Sequence, residues 1–278
     1  MSSKKDKALV LAGGGVLGIA WETGFLAGLE SQGVVVTDAD YILGTSAGAV
    51  VAVQSTATSM EKLYRDQVDG TGAYEPPIID VDVPKMLEEW RDVVENTPDA
   101  VECRKIVGSW ALEKDRVPEP ERLAIIKSRL PSHEWPEKLI GITVIQADTG
   151  EFKVWNKSSG VGLVDAVAAS CSVPRVWPAV TIDGTRYYDG GLRSNTNTDM
   201  AEGYAKVLVL KVSDLPDQPD VRDISDTSEV CTITLDEASA RARGENPMNP
   251  DLRSTVAKTG YAQGVRMADD VRAFWERP

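Results

Sequence analysis

Ser46 stands in Gly44-Thr-Ser-Ala-Gly48, a match to G-x-S-x-G. A serine between two glycines, after a strand and before a helix, occupies a sharp turn that lifts its hydroxyl above the sheet. The helix that follows turns its partial positive end toward any oxyanion developing there. The plain alternative is a strand-to-helix turn using Gly and Ser as breaker and cap. A second loop, Gly13-Gly-Gly-Val-Leu-Gly18, also follows an apolar run and opens a helical pattern. It has two readings. As G-x-G-x-x-G it is a dinucleotide fingerprint, with Asp38 near the position of a ribose-binding acid. As an oxyanion hole it offers the N–H groups of Gly14, Gly15 and Val16 to negative charge. Both readings place an anion at a helix N-terminus. The serine turn tips the balance toward acyl transfer, because a hydrolase needs an anion-binding loop beside its nucleophile.

A nucleophilic serine needs a base, and the chain holds one histidine, His133. It lies in Pro131-Ser-His-Glu-Trp-Pro136, where an exposed loop histidine is the plain reading and a triad member the sharp one. A carboxylate is the other option. Asp189, in Tyr187-Tyr-Asp-Gly-Gly191, follows a short extended run and precedes Gly190 and Gly191, which let a backbone approach closely. An ordinary turn aspartate is its plain reading. Chemistry that requires several imidazoles, His-rich metal sites included, is ruled out by the histidine count.

These loops require elements to carry them. Ala8–Ala12 reads as a buried strand, Gly18 to about Gln32 as a helix stopped by Gly33, and Val34–Val36 with Tyr41–Leu43 as a second extended region. Ala49–Met60 returns to helical composition. Continuous apolar strands alternating with helices predict an open, mostly parallel sheet with helices on both faces, a three-layer α/β/α arrangement. From about 66 to 135, Pro and acidic residues punctuate helical pieces (Val83–Asn96, Val101–Glu113, Pro120–Arg129), a helical insertion able to cover a site. Hairpins follow at Leu139–Trp155 and Val180–Tyr188 around Asp148-Thr-Gly150 and Asp183-Gly-Thr185. Leu163–Ala169 is a short helix, Lys206–Val212 a strand and Ser254–Trp275 a terminal helix. A single domain over 1–278 is expected, with a helical C-terminal extension from about 227.

Composition narrows the partners. The 278 residues are 42% hydrophobic and 26% charged, with 30 Lys+Arg against 43 Asp+Glu, a net charge of −13. That is globular composition. The negative surplus repels phosphate backbones, so nucleic acid is not an expected partner. Cys103, Cys171 and Cys231 are scattered, which speaks against disulfides and structural zinc. The run after the charged Met1–Lys7 segment is too short for a signal peptide or membrane span, so a cytoplasmic location is expected.

Taken in order, Gly13-Gly-Gly15 through Gly18, Gly44-Thr-Ser-Ala-Gly48 and Asp189-Gly-Gly191 resemble the patatin-like phospholipases of bacterial type. The resemblance covers about residues 8–212 and takes in Ala169-Ser-Cys-Ser-Val-Pro174 and Ile182-Asp-Gly184. It implies a serine acyl hydrolase acting on lipid acyl esters without metal or cofactor. It implies a Ser–Asp dyad, with Ser46 as nucleophile, Asp189 as base and the loop of Gly14, Gly15 and Val16 as oxyanion hole. The sequence departs from the family at Leu17, where Arg or Lys is usual. It departs again after Asp189-Gly-Gly191, where Asn195 is kept but the usual proline is lost. Transient contact with a membrane surface is expected of such an enzyme, though no basic amphipathic helix marks where. Met86, Leu87, Trp90, Ile106 and Trp110 of the insertion are candidates for an acyl groove or simply for packing onto the core. Two rivals stand beside this reading: a nucleotide-binding oxidoreductase, and a catalytically weak relative that binds lipid.

Overall fold

The computed structural model describes residues 6–71, 82–113 and 117–277. The first residues of the charged N-terminus and parts of the 66–135 insertion therefore lie outside the described residues. In chain order the strands are β1 (Lys7–Leu11), β2 (Tyr41–Gly44), β3 (Ile140–Gln146), β4 (Phe152–Trp155), β5 (Val180–Ile182), β6 (Thr185–Asp189), β7 (Lys206–Lys211) and β8 (Glu229–Thr234). The helices are α1 (Gly15–Ser31), α2 (Ala47–Ala57), α3 (Met60–Asp69), α4 (Val83–Asn96), α5 (Ala100–Ala111), α6 (Glu119–Arg129), α7 (Leu163–Ser170), α8 (Glu237–Arg243) and α9 (Arg253–Trp275).

The eight strands among the described residues form one sheet, hydrogen-bonded along the path β5-β6-β3-β2-β1-β7-β8 with β4 also on β3. β8, β7, β1, β2 and β3 are mutually parallel, whereas β4, β5 and β6 enter antiparallel. The expected three-layer α/β/α architecture is present. β1 shows why its run is continuously apolar. Leu9 and Leu11 pack into the cluster shared with α1, α2, α7 and α9, while Ala8 and Val10 pack on the opposite face with Tyr204 and Ile224. On that second face, α4 and α5 cover β3 and β6 through Trp90, Val107 and Ala111 against Ile145 and Tyr188.

The register around β3 decides where the site forms. Ile142 is paired with both Gly44 of β2 and Trp155 of β4, so those strands flank β3 on opposite sides. Ile145 is paired with both Phe152 of β4 and Tyr188 of β6, so β6 lies on the side occupied by β2. The hydrogen bonds agree: Leu139 O and Ala147 N, of one parity, face β2 and β6, whereas Gln146 N faces Glu151. β2 and β6 therefore share one edge of β3 end to end, with their carboxyl ends meeting beside Thr143. Gly44 is opposite Ile142 and Asp189 is opposite Val144, two residues or about 7 Å apart along the strand.

Two local readings need correction. Val34–Val36 is not a strand: Val34 and Val36 tuck into the core while Val35 is exposed, and the chain runs unpaired to β2. The segment after 227 opens with β8 rather than with helix. Glu229-Val-Cys-Thr-Ile-Thr234 alternates side chains as a strand at the end of the sheet does, too weakly apolar to announce itself in the sequence.

α1 is buried along nearly its whole length because α9 lies directly against it. The approach is set by glycine. A Cβ on Gly24 would sit 2.2 Å from the Ala257 carbonyl oxygen, and one on Gly28 would sit 2.3 Å from that of Tyr261. Gly264 answers from α9, its Cβ position 2.2 Å from the Phe25 carbonyl oxygen. Gly24→Ala gains about 1 kcal/mol of helix propensity but must push two helix backbones apart. The clash wins, and a net loss of about 2 kcal/mol is expected as a lower urea midpoint at unchanged m-value. A midpoint equal to or above wild type would contradict this packing.

Candidate active site

The serine turn is built by backbone constraint. β2 ends at Gly44 and α2 begins at Ala47, leaving Ser46 at φ 53°, ψ −113°. A side chain is held in that left-handed region only by its surroundings. Here the holding comes from the end of α7. The Ser46 N–H donates to Ser170 Oγ at 2.9 Å, and the Cys171 thiol donates to the Ser46 carbonyl at 3.3 Å. Gly48 lets α2 close onto β1, since a Cβ there would lie 2.1 Å from the Leu11 carbonyl oxygen.

Asp189 arrives from the facing strand end. Its N–H donates to the Ser172 carbonyl at 3.1 Å, so the short run 170–172 holds both residues. The Ser46 side chain lies close enough to the Asp189 carboxyl to lower its pKa, and Gly191 N–H donates to Asp189 Oδ1 at 2.8 Å. Only 1% of Asp189 is exposed. That burial pushes its pKa up to about 7, against the opposing effects of the Ser46 side chain, the Gly191 N–H and the Arg122 guanidinium. A carboxyl group with that pKa can exchange a proton near neutral pH.

The glycine loop closes the third side. Gly14 precedes α1 and Gly15 starts it at φ 64°. Gly13 and Asn195 exchange hydrogen bonds, Gly13 N–H to the Asn195 carbonyl and Asn195 Nδ2 to the Gly13 carbonyl, both at 2.9 Å. The Leu17 N–H is taken by the Pro247 carbonyl at 3.0 Å, and that of Gly18 by Gly14 at 2.8 Å. The N–H groups of Gly14, Gly15 and Val16 have no backbone acceptor among the described residues. Leu17 is buried in the core, so the place of a basic side chain in this loop is taken by packing.

Asn197, itself at φ 50°, ties the two halves together. Its Nδ2 donates to Thr45 Oγ1, Gly190 O and Ser194 O, and its Oδ1 accepts from Arg193, which is ion-paired to buried Asp199 at 2.6 Å. Thr143 Oγ1 donates to Thr45 Oγ1 at 3.0 Å, completing the junction where β2 and β6 meet. Gly190 is required there because its Cβ would fall 2.4 Å from Thr143 Oγ1.

Ser46, Asp189 and Gly13–Val16 open onto one cavity of about 150 Å³. Met86, Leu87 and Trp90 of α4 and Trp110 of α5 line it, with Val107 in place of the expected Ile106. The two other readings of the polar residues do not fit. His133 is exposed, with its Nε2 against the Lys127 carbonyl, and is not among the lining residues. Asp38 precedes β2, whereas the glycine loop follows β1; in a parallel pair these lie at opposite ends, so Asp38 is out of reach of a nucleotide on that loop. Sequence reasoning missed Ser170 and Asn197 as positioning groups, and Arg122, which also lines the cavity. Of these, only Ser170 lay in a motif already singled out.

A patatin-like phospholipase family model matches residues 9–202. Among solved structures, VipD from Legionella pneumophila is 13% identical with a TM-score of 0.50, over 96% of this chain and 67% of that one. The type III effector protein ExoU is 16% identical with a TM-score of 0.44, over 96% of this chain and 53% of that one. ExoU in its complex with SpcU from Pseudomonas aeruginosa is 18% identical with a TM-score of 0.42, over 96% and 52%. The chain therefore spans about half the length of the ExoU chains. No curated protein matches it.

Proposed function

This chain belongs to the patatin-like phospholipase family, and we propose that it is a serine acyl hydrolase that cleaves lipid acyl esters through Ser46 and Asp189. The observation that carries the reading is that Ser46 and the buried Asp189, whose pKa burial raises to about 7, open onto one cavity beside the glycine loop. In the proposed cycle Asp189 accepts the Ser46 proton as the hydroxyl oxygen attacks the ester carbonyl. The N–H groups of Gly14, Gly15 and Val16 hold the tetrahedral oxyanion, each worth about 2.7–4 kcal/mol in comparable sites. Collapse returns the proton to the leaving alcohol and leaves an acyl-Ser46 ester. Asp189 then activates water, which releases the fatty acid and restores the serine. The apolar wall from α4 and α5 receives the acyl chain, and the helical insertion at 66–135 belongs to the same domain. No step calls for a metal or cofactor.

The test is direct. Wild-type protein should hydrolyse short-chain p-nitrophenyl esters and react once with a fluorophosphonate probe, with the adduct mapped by mass spectrometry to Ser46. An adduct on another residue would refute the nucleophile assignment. Stabilisation by NAD(P) in thermal melts, in place of esterase activity, would favour the oxidoreductase.

A further inference from the structure

One end of the cavity beside Ser46 is closed by chain that lies beyond the residues matched by the family. The match stops at residue 202, yet Pro247 and Met248, from the segment that follows α8, line the cavity. That segment, 244–249, is laid across the start of α1. The Pro247 carbonyl accepts the Leu17 N–H at 3.0 Å, and a Cβ on Gly15 would lie 2.6 Å from Met248 Sδ. Its own course is fixed. Gly244 turns the chain out of α8 at φ 64°, ψ −159°, a conformation open essentially to glycine alone. Asn246 Oδ1 then accepts the Met248 N–H at 2.9 Å. Met248 is only half-buried, so its side chain keeps surface to offer a ligand in the cavity. The apolar lining falls into two groups. Trp90, Val107 and Trp110 belong to the cluster over β3 and β6. Met86 of α4 packs instead on Val176 and Trp177, and Met248 packs on the same pair. The α4 wall is thus continued by the 244–249 segment at the glycine-loop end.

We propose that Met248 is a specificity-determining residue that closes this end of the acyl site and restricts the enzyme to esters of short- and medium-chain acids. The inference rests on Ser46 being the nucleophile and adds the chain length, which that assignment leaves open. An acyl chain gains about fourfold in affinity for each methylene it buries. The gain ends where the next methylene meets filled volume. Met248→Ala removes Cγ, Sδ and Cε, leaving room for about three further chain atoms.

Turnover of p-nitrophenyl esters from acetate to palmitate gives the first readout. Wild type should reach its highest kcat/KM at a short or medium chain and fall by about tenfold or more at palmitate. Met248→Ala should move the maximum to chains longer by about two to four carbons, and Met248→Phe should move it to shorter ones. Two variants of opposite sign keep the test independent of how either one folds. A wild-type profile still rising at palmitate, or one maximum shared by all three proteins, would overturn the proposal. Binding of 1-alkanols, butanol to dodecanol, to Ser46→Ala separates the chain-length limit from the nucleophile. Affinity should climb about fourfold per methylene and then stop, and the stopping length should move in the same directions when either substitution at Met248 is added. A stopping length that moves supports the limit even where no ester is cleaved. Absent binding, or an unmoved stopping length, refutes it even where esters are cleaved.

Discussion

Ser46→Ala is expected to lower kcat for a short-chain ester by a factor on the order of 10⁴ or more and to abolish fluorophosphonate labelling. The size follows from the chemistry. Without the hydroxyl no acyl-enzyme forms, and only ground-state binding and the loop N–H groups remain to help water attack. The same variant should melt close to wild type, because the backbone of residue 46 is held by Ser170 and Cys171 and not by its own hydroxyl. Ser46→Gly separates catalysis from strain. It is equally inactive, but the φ of 53° costs glycine nothing, so it should be more stable than Ser46→Ala by roughly 1–3 kcal/mol. Activity surviving in either variant would mean that another nucleophile operates.

Asp189→Asn should lower kcat/KM by about 10²–10⁴-fold, the usual contribution of a positioned general base. Asparagine keeps an acceptor for the Gly191 N–H, so geometry is largely preserved while basicity is lost. In wild type, kcat/KM should fall as pH drops through about 7, where Asp189 takes up a proton. In the variant that inflection should vanish. A matching stability signature has a definite sign. The folded pKa of about 7 lies above the unfolded value of 3.8, so the native state binds the extra proton between these values. The stabilisation from neutral Asp189 is full below about pH 4 and is lost as pH rises through about 7. The difference amounts to roughly 4 kcal/mol at most. Asp189→Asn, neutral at every pH, should therefore be more stable than wild type at pH 8 and nearly equal to it at pH 4 in denaturant titrations. A wild-type rate profile without the inflection near 7 would remove Asp189 from the role of base.

Most of the sheet could be read locally, because β1, β3 and β7 are apolar runs bounded by glycine or charge, and because Asp183-Gly184 forces a hairpin. Val34–Val36 looked equally strand-like, but a strand needs a neighbour to pair with, and none is offered there. β8 had the neighbour, β7, without the apolar content. Nor could the close contact of α1 with α9 be seen in either helix alone. Gly24 and Gly28 weaken a helix locally and acquire their purpose from Gly264, far along the chain.

Sequence by itself determined the chemical parts: a serine in a turn only glycine neighbours permit, a glycine loop at a helix N-terminus, and a single histidine. Those are local properties, since turn geometry and helix-end N–H groups depend on a handful of adjacent residues. Which groups lie beside Ser46 was decided only by tertiary structure. β2 and β6 pair with the same edge of β3 from opposite directions, so their carboxyl ends meet and bring Asp189 to the serine, while His133 stays on the surface. The same long-range packing lays residues 244–249 over the glycine loop and brings Met248 to the cavity. Burial and strand register are properties of contacts between distant segments, and they set the basicity of Asp189 and the walls of the pocket.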